Sequence, residues 1–292
     1  MPTRDLPTFT GPNLTGELQL DFQPRIVRRD LRVVRAEDIT PRYRRIELAG
    51  DDLADGFPFA RFSPGDHVKV FFPDPATGTL TAYRDTGDEW ELDGDGDPIH
   101  RDYTVRAWDP DSRRLTLDFV LHEHGVAGVW ARHAQVGDRV VVNGPSANQL
   151  LPEDYPVYLA VGDETALPAI ARIIEEAPAR SHVIAVVEVA NAAEEQDLHG
   201  VSGLDLRWVH RDTAPVGEGH LGALETAVRA VALPDDLGGL FVFAAGEAGA
   251  MKPIRRYLRH ERGVPRRQVE VDGYWKRGAT DFDHHDVDIP ED

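Results

Sequence analysis

The hydrophobic period of this chain changes once, just after Gly144-Pro145, and that change restricts the fold more than any single motif does. Before it, six short segments alternate apolar and polar residues: Leu31–Ala36, Tyr43–Leu48, His67–Phe72, Tyr103–Trp108, Leu115–Leu121 and Arg139–Asn143. A period of two sends one set of side chains to a core and the other to solvent, which is the signature of a β-strand. Turn-formers separate the segments, among them Ala49-Gly50-Asp51-Asp52, Ser63-Pro64-Gly65-Asp66, Asp109-Pro110-Asp111-Ser112 and Val136-Gly137-Asp138. Short strands joined in this way predict an antiparallel barrel.

After the change the pattern is different. Val157–Val161 is a compact apolar run, and Leu167, Ile170, Ala171 and Ile174 follow it at helical spacing. Thr165 is placed to cap that helix, and Pro168 falls in its first turn, where proline is tolerated. Val183–Val189, Leu206–Val209, Leu240–Ala245 and Val269–Trp275 read as further strands, with helices over Leu221–Val231 and Ala248–His260. Strands alternating with helices imply a doubly wound parallel sheet covered on both faces. The expected organisation is an arm over residues 1–27, a barrel domain over 28–149, an α/β domain over 150–278 and an acidic tail over 279–292.

Residues 74–100 interrupt the barrel pattern. They are acidic and glycine-rich and read as an inserted loop with a small hairpin around Trp90. The run Asp93-Gly94-Asp95-Gly96-Asp97-Pro98 lacks the downstream glutamate and the spacing of a calcium loop, so a solvated loop is expected. The tail carries Asp281, Asp283, Asp286, Asp288, Glu291 and Asp292 without a lysine or arginine, and is expected to be repelled by an acidic body.

Charge excludes some functions. With 32 basic against 51 acidic residues the net charge is −19, a field that repels nucleic acid and anionic membranes. There is no cysteine, which removes disulfides, iron–sulfur ligation and a thiolate nucleophile. Met1–Gln23 has no signal-peptide layout, and no run approaches the roughly 20 apolar residues of a membrane helix. A cytoplasmic protein is expected. Lysine occurs only at Lys69, Lys252 and Lys276.

Three stretches carry chemistry. In Arg101-Asp102-Tyr103-Thr104-Val105-Arg106, strand alternation sends Tyr103, Val105 and Ala107 to one face and Thr104, Arg106 and Trp108 to the other. An arginine fork, a ring and a hydroxyl suit a phosphorylated planar ligand; an edge strand with a solvated arginine and a packed tyrosine is the plain alternative. Gly162-Asp163-Glu164-Thr165 ends a strand and opens a helix, where open α/β sheets take ligands, although a cap without a ligand has the same sequence. Asp163 and Glu164 oppose phosphate there, which leaves Thr165 and backbone amides to attract it. Glu188, ending the next strand, suits ribose hydroxyls and leans toward NADH over NADPH. His122-Glu123-His124 would put two imidazoles on one strand face, but no third ligand stands at a usual spacing, and His284-His285 reads as solvent-exposed; no metal site is predicted.

Four motifs in order across both domains carry a family resemblance. They are Asp118-Phe119-Val120-Leu121-His122 leading to Gly125-Val126-Ala127-Gly128-Val129-Trp130-Ala131; Gly162 to Ile170; Ala245-Gly246-Glu247; and Gly273-Tyr274-Trp275-Lys276-Arg277-Gly278. With the Arg-x-Tyr-Thr strand, they make residues 28–278 resemble the siderophore-interacting protein family, FAD-dependent ferric-siderophore reductases of the ferredoxin-reductase type. The resemblance implies a Greek-key FAD-binding barrel followed by a domain for NADH or NADPH. It implies that Arg101 neutralises the FAD pyrophosphate, that Tyr103 lies against the flavin and that Thr104 reaches its polar edge, with Val105 and Arg106 on the same strand. Phe119, Val120 and His122 would border the flavin, and Gly125, Ala127 and Trp130 would form the phosphate-side turn and helix. Asp163, Thr165 and Ala166 would meet the nicotinamide donor, and Glu247 would face the flavin. Lys69, Arg132 and Lys276 are the candidate positive charges for an anionic ferric siderophore. Glu123 and Val126 stand where the family carries glycine and proline, which puts the shape of that loop in question. A ferredoxin is the other electron donor the family implies. A reductase serving a protein partner and a non-catalytic siderophore-binding protein are the alternative functions.

Overall fold

The computed structural model describes residues 11–86, 89–123, 125–200, 203–213 and 222–279. The described residues form two compact units, one of Gly11 with residues 19–150 and one of residues 12–18 with 151–279.

Among its described residues the first unit contains ten strands and one α-helix: β1 (Gln19–Phe22), β2 (Arg28–Thr40), β3 (Tyr43–Ala49), β4 (His67–Phe72), β5 (Ala82–Asp85), β6 (Trp90–Asp93), β7 (Ile99–Asp109), β8 (Arg114–Val120), α1 (Val126–His133), β9 (Arg139–Asn143) and β10 (Ala147–Leu150). Six of them close an antiparallel barrel in the order β2-β3-β8-β7-β4-β9, and these are the six segments whose alternation predicted strands. The alternation now has a physical result. Leu31, Val33, Ile46, Leu48, Val68, Val70, Phe72, Val105, Leu115, Leu117, Phe119, Val140 and Val142 fill the interior, each at most 1% exposed. Full burial of one such side chain contributes about 1.5–3 kcal/mol, so the barrel is held chiefly by its inner face.

The simple alternation fails at one place. The pairing of β7 with β8 shifts between Val105 and Ala107, so Arg106 is the extra residue of a bulge. Past the bulge the faces exchange. Trp108, expected opposite Val105, comes opposite the buried Leu115 and packs against the barrel core.

The insert does contain a hairpin, β5 paired with β6. Its base is buried: Ala82 packs with Phe71 and Val141 on the outside of the barrel, and the Phe71 and Tyr83 rings meet edge-on at 6.0 Å. The short pair β1–β10 was not expected. Both strands have four residues, and β1 leaves Leu20 and Phe22 about half exposed, so neither has a clear apolar pattern.

The second unit contains β11 (Val157–Asp163), α2 (Leu167–Glu176), β12 (His182–Val189), β13 (Gly203–His210), α3 (Ala223–Arg229), β14 (Leu240–Glu247), α4 (Ala248–Arg256) and β15 (Val269–Trp275). Its five strands are all parallel, in the order β13-β12-β11-β14-β15, so the strand order reverses between β11 and β14. Leu224 and Val228 of α3 and Met251 and Ile254 of α4 pack on Leu159, Val161, Val186 and Val242 of the sheet. Leu167 to Ile174 of α2 are all buried.

Two helices differ from expectation. Helix α3 starts at Ala223 and ends at Arg229, and Leu221 lies outside the described residues. The α-helical part of α4 ends at Arg256, and Tyr257–Glu261 continues as a π-helical turn. Pro253 lies inside α4 and has no amide proton to donate, which loosens the ladder before that turn. No helix among the described residues is long and apolar enough to cross a membrane.

Candidate functional site

In the first unit, strand β7 carries the Arg-x-Tyr-Thr sequence beside α1, and an aromatic cluster fixes the two together. Trp130 of α1 lies 5.1 Å from Phe72 and 5.8 Å from Phe119, and Tyr103 lies 4.2 Å from Phe119, all between ring centroids. Tyr103 keeps part of its surface open while its ring rests on the core. Burial pushes its hydroxyl pKa up, with Arg101 pulling the other way, so the hydroxyl remains a proton donor at neutral pH. Arg101 is half-buried and donates to the His100 carbonyl, and Thr104 is buried.

Helix α1 opens on Gly125, and no side chain caps it. Its first-turn amides therefore form a donor cluster at the positive end of a helix dipole, the arrangement that suits an anion. The exposed His122 ring lies over this turn. A Cβ on Gly128 would come within 2.8 Å of that ring, so only glycine lets the imidazole approach the helix backbone. The strand geometry expected for His122 does not occur, because β8 ends at Val120; His124 lies outside the described residues. No group of metal ligands occurs among the described residues.

The other first-unit candidates divide by exposure. The side chains of Val105, Phe119 and Ala127 are in the core, so any ligand contact they make is through backbone. The Val105 amide already donates to the Asp66 carbonyl at 2.8 Å. Val120 is half-buried at the end of β8. Arg106 lies 3.9 Å from Asp118, a buried carboxylate that Arg45 grips with two hydrogen bonds of 2.7 and 2.8 Å. Lys69 projects from β4 and makes a 2.8 Å ion pair with Asp102, its cross-strand partner on β7. Arg132 is exposed in the last turn of α1.

In the second unit, the carboxyl ends of β11, β14 and β15 meet at Asp163, which is 4% exposed. Its Oδ1 accepts from the Thr165 amide at 2.9 Å and the Thr165 hydroxyl at 2.5 Å. Its Oδ2 accepts from the Glu247 amide at 2.9 Å and the Trp275 indole at 2.8 Å. Burial pushes this carboxyl's pKa up, while the Thr165 and Trp275 hydrogen bonds oppose the shift. Thr165 is therefore not the helix cap. Ala166, fully buried, holds the cap position without a side-chain bond, because the Thr165 hydroxyl is turned back to Asp163. Close approach explains Gly162, where a Cβ would lie 2.5 Å from the Ala245 carbonyl oxygen. Glu247 caps α4 through the Ala250 amide at 2.8 Å and accepts from the Arg277 amide at 3.2 Å. Lys276 is exposed just beyond β15.

One residue escaped the sequence reading. Arg211, just beyond β13, bonds Glu164 and lies 3.1 Å from Glu188, so one guanidinium is shared between two carboxylates and the cluster keeps a net charge of −1. The lean toward NADH took Glu188 as a carboxylate that suits ribose hydroxyls and opposes a 2′-phosphate, and the shared Arg211 weakens that opposition without cancelling it. Nothing in the spacing of residues 164, 188 and 211 announces the contact; it follows from the parallel register of β11, β12 and β13.

Comparison with known proteins identifies the family. A family model described as the siderophore-interacting FAD-binding domain matches residues 32–149, and one described as siderophore-interacting protein matches residues 155–278. The chain is 32% identical over 268 residues to the ferric vibriobactin reductase ViuB of Vibrio cholerae, covering 90% of this chain and 94% of that protein. It is 33% identical over 261 residues to the NADPH-dependent ferric-chelate reductase of Escherichia coli, covering 86% of this chain and 96% of that one. The crystal structure of a siderophore utilization protein from T. fusca matches with a TM-score of 0.80 at 45% identity, over 92% of this chain and all of that one.

Proposed function

The chain belongs to the siderophore-interacting protein family, and from that membership we propose that it is an FAD-dependent ferric-siderophore reductase. The overall reaction oxidises one NADH or NADPH, reduces two siderophore-bound Fe(III) ions to Fe(II) and releases one proton. Bound FAD supplies the exchange between a two-electron donor and a one-electron acceptor. Siderophores offer hard oxygen ligands suited to Fe(III), so reduction weakens the chelate and frees the metal.

The observation that carries this reading is the uncapped N-terminus of α1 beside the Arg101–Tyr103–Thr104 strand, joined to it through Trp130 and Phe119. Its donor set fits a flavin dinucleotide: amides and a guanidinium for the pyrophosphate, a partly open ring for the isoalloxazine, and a hydroxyl for its polar edge. Arg101 would hold the pyrophosphate, and the first-turn amides of α1 would share it. Tyr103 would flatten one side of the flavin pocket, since the aromatic cluster behind it cannot yield. His122, Val120 and the backbone of Val105, Phe119 and Ala127 would border the ring system, and Arg106 would be steadied by Asp118. In the second unit Thr165, Ala166 and Glu247, at the carboxyl ends of β11 and β14, would meet the nicotinamide donor, although the Thr165 and Ala166 amides already donate to Asp163. Asp163 acts there by holding three strand ends in place, its oxygens being already bonded. Lys69, Arg132 and Lys276 would meet the chelate. The reading places the protein in the cytoplasm, where nicotinamide donors are regenerated.

The test is anaerobic mixing of the flavin-loaded protein with NADH or NADPH and a ferric siderophore, with a ferrous chelator as reporter. Ferrous product is expected. Absence of product with either nicotinamide and with reduced ferredoxin overturns the reading.

A further inference from the structure

We propose that Asp102 and the acidic hairpin of residues 74–100 make this protein selective for ferric chelates of low charge, and that they disfavour strongly anionic ones. The inference rests on the reading of Lys69 as a substrate contact and names the substrate class of that site.

Lys69 points outward from β4, and its neighbours on both flanking strands bear on its charge. On one side its register partner is Asp102, whose carboxylate lies 2.8 Å from the ammonium. On the other side its register partner is Asn143 of β9, and the Asn143 amide donates to the Tyr83 carbonyl of the hairpin at 3.1 Å. Phe71, two residues along the same face of β4, is the hairpin's anchor. Residues of one strand face repeat at about 6.6 Å, so the hairpin begins within one side-chain length of Lys69. Arg28 ties its far strand down through Asp93 at 3.1 Å. Between residues 74 and 100 the described acidic side chains are Asp74, Asp85, Glu89, Glu91, Asp93, Asp95 and Asp97; of these Asp85, Glu91 and Asp93 pair with Arg25, Arg84 and Arg28, so the excess of negative charge rests on Asp74, Glu89, Asp95 and Asp97. The hairpin also presents Trp90 and Leu92, 48% and 53% exposed, as apolar surface.

The lysine is therefore a hydrogen-bond donor in an acidic surround, on a chain of net charge −19. A chelate with several negative charges has to approach that surround and displace Asp102. A neutral chelate meets neither penalty and keeps the apolar contact and the donor. The distinction corresponds to ligand chemistry. Three hydroxamates cancel the charge of Fe(III), whereas three catecholates leave a trianion. Repulsion between a trianion and one carboxylate at side-chain distance, partly screened by salt, corresponds to roughly tenfold in affinity.

Gallium(III) complexes test this without electron transfer, because gallium has the charge and coordination of Fe(III) and is not reduced. Binding of a neutral gallium tris-hydroxamate and a trianionic gallium tris-catecholate to the flavin-loaded protein is measured by calorimetry at low and physiological salt. The wild type is expected to bind the neutral complex more tightly. Asp102→Asn is expected to tighten the trianion roughly tenfold and to move the neutral complex less than about twofold. Asp95→Asn with Asp97→Asn is expected to act in the same direction with a smaller change, and the effect is expected to shrink with salt. Equal wild-type binding of the two complexes, or an equal shift of both in Asp102→Asn, overturns the selectivity. Binding of neither complex to the wild type removes the reductase reading itself, and the inference with it.

Discussion

Replacing Asp163 with alanine tests the idea that one buried carboxylate holds the ligand edge of the second unit together. Four donors lose their acceptor: the Thr165 amide and hydroxyl, the Glu247 amide and the Trp275 indole. Thr165 is partly exposed, so its groups can turn to water. The Glu247 amide is half-buried and points at the vacated volume, and a buried donor left unmet costs about 1–3 kcal/mol. Trp275 is 36% exposed, so its indole recovers part of its bond from water, and removing a carboxylate whose burial already raises its pKa returns part of the rest; the net loss is about 2 kcal/mol. In a unit of this size that lowers Tm by roughly 4–8 °C. Scanning calorimetry of the flavin-loaded protein measures the fall, and hydrogen exchange is expected to localise it to the ends of β11, β14 and β15. Thr165→Val alone should cost about 1 kcal/mol, and should cost almost nothing in the Asp163→Ala background, because its hydroxyl partner is already gone. A Tm within about 2 °C of wild type in Asp163→Ala, or additive losses in the double variant, would refute the reasoning.

Arg101→Ala is expected to lose flavin on purification, read from the ratio of flavin to protein absorbance; full occupancy would show that the guanidinium does not hold the pyrophosphate. In Gly128→Ala the new methyl displaces the His122 ring, while alanine favours the helix by about 0.5–1 kcal/mol. Stability should therefore stay level or rise while flavin affinity falls, and an unchanged flavin Kd would contradict the role given to that turn. Glu270, on β15, has its pKa pushed up to about 7 by burial first and by Asp272 second, with Arg255 opposing. Because the folded value lies above the unfolded one, the stabilisation is complete below about pH 4.5 and is lost as pH rises through about 7. Glu270→Gln should consequently raise Tm at pH 8 relative to wild type, and an equal or lower Tm there would reverse the sign of the argument.

The parts of the fold that were legible in the sequence are those that a local pattern determines. Each barrel strand has an inside and an outside, so burial writes itself into every second residue, and His67–Phe72 and Arg139–Asn143 form strands with the expected bounds. The parallel strands are buried on both faces and read as apolar runs, of which Val157–Asp163 is an example. Illegible were features without such a pattern. The four-residue strand β1 alternates only between half-buried and exposed, and the bulge at Arg106 is an extra residue that no composition marks. The tail, with His284 and His285, lies outside the described residues.

Charge partners are hidden for a more general reason. The free energy of an ion pair depends on register, and register is set by strands far apart in the chain. Asp163 and Trp275 are separated by 112 positions and Lys69 and Asp102 by 33, yet each pair is as close as neighbours on one helix turn. A sequence reading assigns a lysine to an anionic ligand by its residue type alone. The fold shows that this lysine is already matched by a carboxylate, so the sign of its local field depends on Asp102 as much as on Lys69 itself. The substrate that such a site favours is then decided by the sum of charges around the lysine. Lys69 and Asp102 together carry no net charge, which is why the charge of the chelate, rather than the presence of a cation, is the variable to change in testing the proposed site.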